Sequence, residues 1–156
     1  MERTGISRNS GLTLIELVVV VAVLSILAAV ALPVAKATVK RTKEIELRRT
    51  LREMRTAIDE YKKFYDEKKI SQISGGTGYP KDLDTLVQGV DIVGQVNLKK
   101  KFLRRIPPDP ITGTTEWGMR SYADAPDSTA WGGEDVYDIY TTSEETALDG
   151  SQYNTW

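Results

Sequence analysis

Residues 12–35 read LTLIELVVVVAVLSILAAVALPVA, a run of 24 residues in which Glu16 is the only ionisable side chain. As a helix rising about 1.5 Å per residue the run spans roughly 36 Å, enough to cross the ~30 Å hydrocarbon core of a bilayer with some tilt. Its valines are no obstacle, because lipid leaves the backbone no hydrogen-bonding partner outside its own helix. The run therefore reads as a membrane-spanning helix. Two rivals have weaker support. A secretory signal would share the preceding Arg3 and Arg8, with Ala29-Val30-Ala31 or Ala35-Lys36-Ala37 as cleavage sites. Its apolar core is ordinarily only about 7–15 residues long and carries no acid at its start. A buried core helix would need a surrounding domain larger than this chain provides, since the run is apolar on every face.

Glu16 demands a partner. An ionised carboxylate in hydrocarbon costs on the order of 2.5–3.5 kcal/mol on insertion scales, less near the interface. No Lys or Arg lies between Leu12 and Ala35. If the polar segment MERTGISRNSG (residues 1–11) were removed, a new α-ammonium would appear on Leu12, about one helical turn from Glu16. Such an amine has a pKa near ~8 and is charged at neutral pH. Glu16 could pair with its own terminus or with that of a neighbouring copy, which would fix an axial register between apolar helices. The plain alternative is an interfacial Glu that snorkels or is protonated. Pro33, late in the same run, removes one helical hydrogen bond and crowds the preceding turn, so a kink or a locally opened helix is expected there.

Composition narrows the chemistry. The 156 residues contain no Cys and no His, which removes disulfides, thiolate nucleophiles, Cys-ligated metals and imidazole-based triads. No pair of carboxylates is singled out by spacing, and no enzymatic activity is expected. The charges sum to −1 but are strongly segregated: residues 36–70 hold 12 bases and 7 acids, whereas residues 111–156 hold Arg120 against nine acids. Copies stacked with an axial offset could attract one another; the plain alternative is a solvated helix followed by an acidic surface. The balanced total speaks against nucleic-acid binding.

Beyond the membrane run the helix continues. Leu47, Leu51, Met54, Ile58, Tyr61 and Tyr65 are spaced 4, 3, 4, 3, 4, one apolar stripe at helical period. Glu44–Arg48 and Asp59–Lys63 are favourable i, i+4 pairs for its outer side. The helix is expected over residues 12–69, ended by the Gly75-Gly76-Thr77-Gly78 cluster. A short helix over about 80–89 follows, opened by Pro80 with Leu83, Leu86 and Val87 inward. Ile106-Pro107-Pro108-Asp109-Pro110 reads as an extended connector. Trp117–Tyr122 and Val136–Thr141 read as strands of a three- or four-stranded antiparallel sheet burying Trp117, Tyr137, Ile139 and Trp156. The fold class is α+β: one long N-terminal helix packed against a small antiparallel sheet.

Ser10-Gly11-Leu12-Thr13-Leu14-Ile15-Glu16 followed by the Val/Ala/Leu run resembles the class III signal of type IV pilin-like proteins, and is most similar to that of the major pseudopilin of type II secretion systems. Tyr79-Pro80-Lys81-Asp82-Leu83, Pro108-Asp109-Pro110, Asp138-Ile139-Tyr140 and Asp149-Gly150 extend the likeness along the chain. The resemblance implies a leader over 1–11, a membrane half over 12–35 and a soluble pilin-like domain over 36–156. It implies cleavage after Gly11 by a prepilin peptidase, methylation of Leu12, Glu16 as the register-setting carboxylate, and Pro33 as the point where the helix stretches on packing. The family usually has Phe where this chain has Leu12. Lys36, Lys40, Arg41 and Lys43 follow the span and would by count be cytoplasmic. The resemblance implies the reverse: an inner-membrane single-pass protein, leader in the cytoplasm and domain in the periplasm.

The function so implied is structural. The chain would be a homo-oligomeric subunit of a periplasmic pseudopilus, working with an assembly platform and minor pseudopilins to drive protein export. A major type IV pilin for adhesion, motility or DNA uptake is one alternative; a membrane-tethered domain that never polymerises is another. The lack of the disulfide common in adhesive pilins tips the choice towards the pseudopilin. The resemblance also implies calcium in the C-terminal loop, with Asp149 and Ser143 as ligands and backbone carbonyls completing the shell; because Ser151-Gln152-Tyr153 stands where the family's later aspartates would be, a plain acidic surface loop is the alternative.

Overall fold

A computed structural model describes residues 13–72, 76–95 and 98–156. The chain divides into two units, Met1–Val39 and Lys40–Trp156. Helix α1, Leu14–Asp66, contributes to both. In its first unit every described side chain is exposed, from 48% at Val20 to 82% at Leu14 among the large apolar residues. The helix is unbroken at Pro33, so the locally opened alternative is not adopted there, although proline still supplies no N–H to the carbonyl one turn back.

The second unit is built on the stripe. Leu47, Leu51, Met54 and Ile58 are at most 2% exposed, and Ala57 and Tyr61 join them in the core. Each large apolar side chain so buried contributes about 1.5–3 kcal/mol. Tyr65, the last member of the predicted stripe, is only half-buried. α1 also ends earlier than expected, and not at the glycine cluster. Lys68 takes φ 57°, and the N–H groups of Lys68 and Lys69 donate to the carbonyls of Tyr65 and Phe64 at 2.9 Å each. This is a Schellman close with lysine in the position that glycine usually fills.

Helix α2, Leu83–Gln88, starts later than the predicted 80–89 because Asp82, not Pro80, begins it: its carboxylate accepts from Thr85 N at 2.7 Å. Leu83 and Leu86 face the core, and Gly89 closes the helix. The single sheet of three or four strands is replaced by two antiparallel pairs. β1 (Val90–Asp91) pairs with β2 (Lys99–Lys100), and β3 (Trp117–Arg120) pairs with β4 (Asp138–Thr141). In the second pair Gly118 faces Tyr140, whose ring lies where a Cβ on residue 118 would be, 2.3 Å away at the nearest atom. Trp117 and Ile139 are buried as expected. Trp156 is half-buried, and Tyr137 is 46% exposed, a correction to its expected core place. Val136 takes that place at 0% exposure, while Tyr137 packs edge-on against Tyr79 and Tyr122.

The proline-rich connector is pinned at its centre. Asp109 is fully buried, accepting from Ile111 N at 2.8 Å and from the Thr141 hydroxyl on β4. Trp117 Nε1 donates to Pro107 O at 3.0 Å, so the connector is tied to both strands of the second pair.

Candidate assembly site

Gly11 and Leu12, the predicted processing residues, lie outside the described residues. The described chain begins one residue later, with a helix cap. Thr13 Oγ1 accepts from Glu16 N at 3.3 Å, in the Thr13-Leu14-Ile15-Glu16 order of a capping box. The sequence reading took Glu16 only as a charge needing a counter-ion. It missed that the same four residues spell a helix start, which the T-x-x-E spacing could have revealed. The cap places Glu16 in the first turn, where the unpaired N–H groups of a helix favour negative charge. Among the described residues no donor reaches its carboxylate. Glu16 is thus held at the head of an exposed apolar helix with its carboxyl group unpartnered among the described residues, and Pro33 lies on the same helix nearer the far end of the unit.

In the second unit, a polar row beside the apolar stripe closes the C-terminal segment onto α1. Lys40 donates to the carbonyl of Thr146. Glu44 Oε1 accepts from Leu148 N at 2.7 Å and from the Tyr153 hydroxyl at 2.9 Å. Arg48 reaches Asp149 at 3.4 Å and lies 3.8 Å over the Trp156 ring. Arg55 binds Asp138 at 2.7 Å, Ile139 O at 3.0 Å and Trp156 O at 2.9 Å. Glu44 and Arg48 therefore turn to the C-terminal segment rather than to each other, and Asp59 and Lys63 form no ion pair with each other either. The 40, 44, 48, 55 spacing put these side chains along one side of α1 in the sequence; what the sequence could not supply was the segment they would meet.

Burial, the Glu44 hydrogen bond and nearby acids push the Tyr153 phenol up to about 12. The Asp149 carboxyl is held below the usual carboxylate range by the Ser151 hydroxyl first, then the Ser151 N–H, with Arg48 adding to both.

The residues expected to hold calcium do not fit that ion as arranged. Asp149 Oδ1 accepts from Ser151 N at 2.9 Å and Ser151 Oγ at 2.6 Å, and Oδ2 faces the Arg48 guanidinium. Ser143 Oγ accepts from Glu145 N at 3.3 Å, and no hydrogen bond links Ser143 with Asp149. Calcium requires about six to eight converging oxygens. Among the described residues no three acidic side chains cluster in a way that could hold a metal. The two neighbouring positive charges in this loop, Lys40 and Arg48, come from the protein's own helix.

The sequence model of the prokaryotic N-terminal methylation motif matches residues 6–32. No curated protein and no solved structure matches the chain. The long helix with its small antiparallel strand pairs is consistent with a type IV pilin-like fold. Cap, carboxylate, exposed apolar helix and motif coincide in one stretch, and that stretch is a type IV pilin-like precursor signal, of the kind processed by a prepilin peptidase ahead of filament assembly and suited to membrane anchoring.

Proposed function

We propose that the chain is a structural subunit of a periplasmic pseudopilus serving protein export by a type II secretion system. It is cleaved after Gly11, methylated on Leu12, held in the inner membrane by residues 12–35, and then drawn into a homo-oligomeric rod by partners that supply the energy. The observation that carries this reading is the apolar half of α1. It exposes every described side chain, so a single copy in water leaves its burial incomplete, and the lone carboxylate at its head supplies a register for copies that complete it. Pairing of Glu16 with the α-ammonium of a neighbour's Leu12 would offset the cost of holding an acid in an apolar bundle. The absence of cysteine supports the pseudopilus over an adhesive pilus, which commonly carries a C-terminal disulfide.

The mass of the protein isolated from its native membrane tests the processing. The expected mature terminus is Leu12 carrying one methyl group; retention of residues 1–11 in working protein overturns it. Glu16→Ala tests the register, with the expected outcome that oligomers are lost while the monomer still inserts. To separate pseudopilus from pilus, deletion of the gene should abolish export of folded proteins and leave adhesion, twitching and DNA uptake unchanged.

A further inference from the structure

Arginines are not distributed evenly over the second unit. Arg48, Arg55 and Arg120 each have an acidic partner on the same chain: Asp149 for the first, and Asp138 for the other two. Four others do not. Arg49 and Arg52 on α1, with Arg104 and Arg105 just before the connector, line one groove of about 720 Å³ over Phe102 and Pro107. All four are exposed, and none has an ion pair among the described residues. Of the two acids in the same groove, Glu60 is occupied by Lys100 at 2.8 Å. Glu53 alone faces four guanidiniums. Each planar guanidinium presents a fork of donors that matches a carboxylate in two-point contact.

The matching acids lie elsewhere on the same chain. Among the nine acids of residues 111–156, Glu144 and Glu145 are adjacent, exposed and without an ion pair. Their backbone is fixed by Tyr153 N on Glu145 O at 3.1 Å and by Lys40 on the Thr146 carbonyl. These anchors place them beside residues 40–44 of α1, five to twelve residues before Arg49 and Arg52. That separation is roughly 8–18 Å along the helix. Within one molecule the two charge sets do not pair.

We infer that the arginine groove docks the Glu144–Glu145 edge of a second copy of this chain, aligned in parallel and displaced along α1 by one to three helical turns. A copy of the same chain is the occupant the charges select, because its net charge of −1 gives no long-range field for a polyanion, whereas its own acidic edge carries the sign the groove lacks. The inference rests on the proposed assembly only in requiring that copies associate.

The chain has no cysteine, so a disulfide can arise only from introduced residues. The full-length protein carrying Arg52→Cys and Glu145→Cys is oxidised in its own membrane. A ladder of crosslinked multimers is expected from the double variant and none from either single variant. Charge reversal is the second arm. Arg49→Glu with Arg52→Glu should lower filament yield by about tenfold or more, and adding Glu144→Arg with Glu145→Arg should restore it to within about twofold. The melting temperature, measured on each, distinguishes lost docking from lost folding. If multimers form and need Glu16 but show neither ladder nor charge rescue, the groove proposal is overturned and the assembly reading stands. If multimers do not need Glu16, the assembly reading fails by itself, and the ladder still decides the groove.

Discussion

The two halves of α1 are continuous in sequence and opposite in how they satisfy their apolar side chains. From Leu47 to Ile58 the apolar residues recur every three or four positions and are buried by the strands and connector of their own chain. From Leu14 to Val39 they occupy every face, and every described side chain remains exposed. A stripe asks for one covering layer, which a small domain can supply; an all-round apolar surface asks for lipid or for several neighbours. Folding is thus completed within one copy for the second half, and by the surroundings for the first. Equal truncations in the two halves should therefore have unequal consequences.

The largest expected effect tests that directly. Ile58→Ala removes a fully buried side chain and should cost about 2–5 kcal/mol of unfolding free energy, read as a lower thermal midpoint in detergent. Val21→Ala, at 54% exposure, should stay within about 0.5 kcal/mol on the same scale. An equal fall for both would mean that the apolar half is packed inside a single copy, and the comparison would break.

Arginines sharpen it further. Arg55→Ala strips the half-buried Asp138 of its nearer partner and removes the guanidinium that donates to the carbonyls of Ile139 and Trp156. A loss of about 1–3 kcal/mol is expected by chemical denaturation. Arg49→Ala, in the unpaired groove, should change folding by less than about 0.5 kcal/mol, its effect appearing in association. A folding loss at Arg49 matching that at Arg55 would show that the groove arginines serve the monomer.

What was legible in the sequence follows the same division. The apolar run is a signal of length and the stripe one of period, so α1 and most of its buried face could be read from the sequence alone. Elements that depend on partners distant in sequence were not legible. The strands near Trp117 and Ile139 were found, but β1 and β2 were not: neither exceeds two residues, too short for an alternation to show, and the grouping into two pairs depends on which segments meet. Tyr137 and Val136 exchanged places because β4 begins only at Asp138, so both residues lie before the strand and its alternation does not govern which of them turns inward. The end of α1 was misplaced because a lysine, which ordinarily disfavours positive φ, fills a glycine position at Lys68. At the assembly site the carboxylate was legible and its capping geometry was missed. The row Lys40, Glu44, Arg48 and Arg55 could be seen as charges but not as a clasp.

That clasp has a pH signature. Tyr153 loses its proton only near pH 12 when folded, against about 10 for an unperturbed phenol. Below pH 10 both states keep the proton and the Tyr153–Glu44 contribution is complete. As pH rises from about 10 towards 12 the unfolded chain releases its proton first, so stability falls across that window. Tyr153→Phe should be less stable at neutral pH by about 0.5–1.5 kcal/mol and should lose part of the alkaline slope. The quantity to measure is the difference between the two denaturation curves against pH, because Tyr61 and Tyr79, also raised chiefly by burial, contribute to both. An unchanged difference across the window would remove Tyr153 as its source.

The smallest effect concerns the loop that closes on the clasp. Asp149 spends one oxygen on Ser151 and turns the other to Arg48, while Lys40 takes the Thr146 carbonyl, so the positive charge in this loop is supplied from within the chain. A divalent cation entering there would have to displace a guanidinium and break two serine hydrogen bonds before gaining a full shell. Calcium and chelator should therefore leave the thermal midpoint unmoved, whereas Arg48→Met should lower stability by up to about 1 kcal/mol, as an exposed ion pair does. Salt distinguishes the causes: the Arg48 effect should shrink towards zero at about 1 M, where charges are screened within roughly 3 Å. A midpoint that rises with micromolar calcium and survives Arg48→Met would put the ion back in the loop and make the arginine its bystander.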